Sequence, residues 1–68
     1  MSAASNAAEL SSLRAQIEDI TRRVVTMADT YRNGPDAGMT TDLDQAERSL
    51  MVANRALSRV ASELQARA

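Results

Sequence analysis

The stretch "YRNGPDAGMTTDLDQ", residues 31–45, interrupts two helical patterns, and it must either turn the chain back on itself or bend one long rod. Asn33 and Gly34 read as a helix C-terminus, with Gly34 expected in the left-handed conformation that residues bearing a Cβ resist. Pro35 blocks continuation. It lacks an N–H and disfavours helical geometry in the residue before it, so a straight rod would lose hydrogen bonds and cost ~3 kcal/mol or more at proline alone. Thr40 and Thr41 then offer fresh N-caps, and Asp42, Asp44 and Glu47 follow in the first turns, where the helix dipole favours acids. The reading is a hairpin.

Working outward from the turn, apolar residues on the N-terminal side fall at Leu10, Leu13, Ile17, Ile20, Val24, Met27 and Tyr31, alternating three and four apart. That is a heptad seam, narrow as in coiled-coil packing. On the C-terminal side Leu43, Leu50, Leu57 and Leu64 recur every seven residues, with Ala46, Ala53 and Val60 three residues after the first three. Small residues alternating with Leu let two helices approach closely. The expected layout is a frayed N-terminus over 1–5, helix 1 over 6–33 with Asn6 and Glu9 as a capping box, a turn over 34–40, and helix 2 over 41–67. Facing residues should sum to about 74, to within one helical turn, placing Val24 near Leu50, Ile17 near Leu57 and Leu10 near Leu64.

Composition limits what such a hairpin can do. The chain has 68 residues, a formal net charge of −1, no Cys, no His and a single aromatic residue, Tyr31. A core of this size is barely sufficient, a disulfide is excluded, and a nitrogen- or sulfur-ligated metal has no ligands. Self-association or docking on a partner is the remaining source of stability. All eight basic residues are Arg, which suits a GC-rich bacterial genome and removes Schiff-base chemistry. The start "MSAASNAAEL" has neither the basic nor the apolar region of a secretory signal, and no apolar run reaches the ~18–20 residues of a membrane span, so a cytoplasmic protein with no membrane partner is expected.

A second surface is suggested by "LMVANRAL", residues 50–57, whose apolar residues surround almost the whole helix. At about 100° per residue, Val52 points away from the seam that holds Leu50. Between Glu47 and Glu63 every charged residue is Arg: Arg48, Arg55 and Arg59, on the outer side with Met51 and Val52 among them. Met and Arg are enriched at protein interfaces, so Arg48, Met51, Val52, Arg55 and Arg59 form the candidate partner-binding strip. The same strip also reads as a solvated face with local pairs such as Asp44 to Arg48 and Glu63 to Arg67, each worth ~0.3–0.5 kcal/mol.

Catalytic residues are not found. Glu18/Asp19 and Asp42/Asp44 are the carboxylate pairs, but adjacent helical residues diverge by about 100° and the second pair suits capping. Ser and Thr have no His or Lys to activate them, and the turn has neither an EF-hand's acidic positions nor a phosphate-binding glycine loop. The fragment "LRAQIEDI", residues 13–20, resembles the opening of the first helix of the all-helical chorismate mutases. The likeness covers eight residues, and that family uses further helices and a catalytic lysine that this chain lacks, so Arg14 reads as a charge flanking the seam. In architecture a dimeric hairpin of this length resembles the small plasmid RNA-binding Rop-type bundles, which implies Arg48, Arg55 and Arg59 tracking phosphates. Balanced charge and the lack of stacking aromatics argue against nucleic acid.

The fold expected is therefore all-α, an antiparallel two-helix hairpin that forms a four-helix bundle on dimerisation. Its expected role is a non-enzymatic interaction or adaptor module without cofactor or metal, partnered by itself as a homodimer or by another protein's helix. The alternative is a Rop-like dimeric nucleic-acid-binding regulator.

Overall fold

The computed structural model describes residues 2–67. Helix α1 spans Ala3–Tyr31 and α2 spans Met39–Arg67, and no strand occurs among the described residues. The first helix begins ahead of Asn6. Ser2 is extended (φ −75°, ψ 161°), and its Oγ accepts the Ser5 N–H at 3.1 Å, so the cap lies there. Ala3, Ala4, Ala7 and Ala8 supply the highest helix propensity available once Ser2 has capped the turn. Of the residues 1–5 expected to fray, Met1 lies outside the described residues and 3–5 form the first turn.

The chain reverses over residues 32–38, but not through a left-handed glycine: neither Gly34 nor Gly38 has a positive φ. A series of short-range turns takes that role. Gly34 N–H donates to the Tyr31 carbonyl at 3.1 Å, Ala37 N–H to Gly34 at 3.2 Å, Met39 N–H to Asp36 at 3.0 Å and Thr40 N–H to Ala37 at 3.0 Å. Pro35 fits because it sits in the opening turn of this winding path, where its missing N–H deprives no helical bond. Helical winding is thus under way before Thr40 and Thr41, which lie inside α2 instead of capping it. Thr40 is buried and its hydroxyl has no partner.

Two helices of 29 residues each, about 43 Å long at 1.5 Å per residue, pack side by side in a body measuring 51 × 15 × 14 Å. Arg32 fixes the register beside the turn. Its guanidinium reaches both Asp44 oxygens, at 3.2 and 3.3 Å, so these facing residue numbers sum to 76, within a turn of the expected 74. Asp44 therefore turns across to α1 and away from the local pairing with Arg48 that spacing suggested, while Glu63 does pair with Arg67, at 3.3 Å.

The seam between the helices differs from the expected one in half of its members. With Leu10 and Leu43 each taken as position a of a heptad, the a rows face inward: Leu10 is buried, and Ile17, Val24, Tyr31, Leu43, Leu50, Leu57 and Leu64 are partly covered. The expected second row, at position d, is left largely open by the hairpin, with only Ala46 partly covered. Leu13, Ile20 and Met27 leave 40%, 44% and 52% of their surface exposed, and Val60 48%. Position e takes their place, with Arg14, Thr21 and buried Ala28 on α1 and Glu47, Asn54 and Ala61 on α2. Each helix is thus rotated about 50° from a two-stranded coiled-coil orientation. On α1 the contact line is relieved of bulk, since Ala28 allows close approach where Leu13, Ile20 and Met27 would hold the helices apart; on α2 the e row instead brings in Glu47 and Asn54 in place of the smaller Ala46 and Ala53.

Candidate functional site

The rotation gives the hairpin two unlike faces. Seen from its own N-terminus, each helix carries its d row about 80° counter-clockwise of the a/e contact line. Antiparallel packing reverses the view of one helix, so the two d rows come to the same side. Leu13, Ile20 and Met27 therefore share a face with Ala46, Ala53 and Val60, and this row contains no charged or hydrogen-bonding side chain.

The opposite face is polar. An open groove of about 410 Å³ runs between the helices there, lined by Arg14, Glu18 and Arg22 from α1 and by Met51, Asn54 and Arg55 from α2. The e row reaches this groove from the seam, which is why Arg14 Nε and Asn54 Oδ1 are enclosed without a hydrogen-bond partner. Each is a polar atom withdrawn from water, a costly arrangement unless something else offsets it. Thr21 avoids that cost by donating its hydroxyl to the Ile17 carbonyl at 2.7 Å. Arg22 is held back by Asp19 at 3.3 Å.

The strip proposed from sequence divides between two places. Met51 and Arg55 line the polar groove, whereas Arg48 and Val52 line a separate shallow depression with Gln45 and Ser49. Arg59 is exposed farther along α2. Met51 and Val52 are open to solvent at 45% and 55%, and Arg48 donates to Gln45 Oε1 at 3.0 Å. The d row was missed as a surface because heptad spacing alone assigns a and d to one contact. The signal that separates them lies on α1, where Ala28 in the e row suits close approach better than the long aliphatic side chains of the d row do; α2 carries alanines in both rows and gives no such signal.

Charge near the turn is locally compensated. The Arg32 guanidinium, by hydrogen bonding and by its charge, holds the Asp44 carboxyl below the usual carboxylate range; Arg48 adds a smaller effect and partial desolvation opposes both. Arg32 is correspondingly raised, chiefly by its hydrogen bond to Asp44. Among the described residues no group of three or more carboxylates gathers closely enough to hold a metal ion, and no helix is long and apolar enough to cross a membrane. Set beside known protein families, curated proteins and solved structures, the chain matches none of them.

Proposed function

We propose that this protein is a non-enzymatic assembly module, a two-helix hairpin that completes its core by associating with further helices from a second copy or a partner protein. The observation that carries this reading is the row Leu13, Ile20 and Met27, with Val60, left in water on one face. Rows a and d are both apolar, and the hairpin covers mainly the first of them. In a four-helix bundle each helix meets two neighbours about 90° apart, with the bundle axis between them. A neighbour on the a/e side and another on the d side satisfies that geometry, leaving a and d pointing at the bundle axis.

The area supports the same reading. A compact monomer of 7.3 kDa would expose about 4,200 Å² by the size scaling of folded proteins. This chain exposes 4860 Å², roughly 650 Å² more, which approaches the ~800 Å² that one partner buries in a standard interface. The non-enzymatic part of the proposal rests on residue types: without His, Lys or Cys, the Ser and Thr hydroxyls have no usual base to activate them.

Molar mass by light scattering across a dilution series, with helicity followed in parallel, tests the reading. The expected outcome is a mass above that of one chain at micromolar concentration, with helix lost as the complex dissociates. A compact monomer that melts cooperatively at nanomolar concentration, with no partner captured at any concentration, overturns it. A second reading, nucleic-acid binding, draws on the convergence of Arg14, Arg22 and Arg55 along the polar groove. Titration of labelled RNA at several salt concentrations separates the two, because phosphate contacts give affinity that falls steeply with salt.

A further inference from the structure

We propose that the second copy stacks with its two-fold axis parallel to the helices, so that both turns lie at one end and α1 of each chain rests on α2 of the other. The inference rests on the self-association reading above and adds the surface, the occupant and the orientation. Its source is the inequality of the two d rows. On α1 they are large (Leu13, Ile20, Met27), and on α2 small (Ala46, Ala53, Val60).

Two symmetric ways of stacking this face on itself exist. An axis perpendicular to the helices sets α1 on α1 and α2 on α2, which crowds long side chains on one side and leaves alanines facing each other across a gap on the other. Both errors are destabilising, the first as overpacking and the second as a void. An axis parallel to the helices sets each large row on a small one. Rotation about that axis leaves every residue at its own height, so the hairpin's register carries over to the new contact. Residues at equal height sum to about 76 at the Arg32–Asp44 pair. Leu13 with Val60, Ile20 with Ala53 and Met27 with Ala46 each sum to 73, within one turn of that register and the same in all three layers. Every layer then holds one long and one short side chain, the alternation that fills a core without strain.

The rim contributes one unfavourable meeting, Glu9 with Glu63 of the second copy near the end far from the turns. Both side chains are exposed and Glu63 is already paired with Arg67 at 3.3 Å, so solvent and that arginine weaken the repulsion below the weight of core packing.

Because the chain contains no Cys, single cysteines report the stacking without background. Ile20→Cys and Ala53→Cys chains are mixed in equal amounts, oxidised mildly, and compared with each variant oxidised alone; Leu13→Cys with Val60→Cys repeats the measurement in a second layer. Light scattering on the reduced variants confirms that each still associates. The expected result is several-fold more cross-linked dimer in each mixture than in either I20C or L13C alone. Cross-linking of I20C alone as efficient as in the mixture sets α1 on α1 and overturns the orientation. A dimeric parent whose cysteine pairs do not cross-link in either layer overturns the surface, and a parent that stays monomeric defeats the self-association reading itself.

Discussion

Gly38 and Asp44 show how the turn is held, and each gives a separate check. A Cβ built on Gly38 meets nothing within 4 Å, and its φ is not positive, so the position does not need glycine's freedom. The surrounding backbone is already winding into α2. Gly38→Ala is therefore expected to raise stability by about 0.5–1 kcal/mol, mainly by restricting the unfolded chain, as read from denaturant midpoints. Asp44 is tied to pH. Its carboxyl titrates below the ordinary 3.8 because Arg32 bonds its charged form, so the folded state binds this proton less readily than the unfolded one. The resulting stabilisation is complete above that ordinary value and is lost as pH falls through the lowered one. Asp44→Asn is thus expected to melt below the parent at neutral pH, and the two melting temperatures are expected to converge as pH drops below 3.8. A gap that stays constant down to strong acid would show that the ion pair is not the cause.

Along each helix the decisive feature is which heptad rows meet. The a rows are aliphatic apart from Tyr31 and shared, but the e rows place Asn54 and Arg14 in the seam with an oxygen and a nitrogen unpartnered. Replacing Asn54 by Leu removes an enclosed acceptor and adds apolar contact on the same branched heavy-atom skeleton, with the larger methyl groups directed to the open groove that Asn54 lines. The expected gain is about 1–2 kcal/mol in urea unfolding, without loss of helicity. A loss of stability would mean that Asn54 finds a partner in an assembled state. Seven-residue spacing, the Gly34–Pro35 break and the lack of other aromatics make the two helices and their reversal legible from residue types alone. The start of α1 was not legible from Asn6 and Glu9, because Ser2 caps an alanine-rich turn four residues earlier. Rotation about each helix axis was not legible either. Spacing fixes which residues share a stripe to within about one position, and a 50° turn is enough to exchange d for e. For the same reason the outer strip of Arg48, Met51, Val52, Arg55 and Arg59 stood out in sequence while the larger apolar row passed as core.

At the scale of the whole molecule, the two faces compete as the place for the proposed association, and their chemistry separates them. The d face is a continuous row of aliphatic side chains, whereas the outer strip mixes two apolar residues with arginines that stay hydrated. Leu13 and Ile20 together still expose nearly half of their surface, and in a dimer four such side chains would leave water. At ~1.5–3 kcal/mol for full burial of each, roughly half remaining to be gained, these positions would contribute about 3–6 kcal/mol to the proposed association. Leu13→Ser with Ile20→Ser is expected to weaken the complex by at least about 100-fold, shifting the mass towards one chain at micromolar concentration. Met51→Ser with Val52→Asp alters the outer strip and is expected to leave that mass unchanged, because neither side chain faces the d row. The reverse pattern, loss of association only in the second pair, would place the contact on the arginine-rich side and leave Leu13 and Ile20 as ordinary exposed residues.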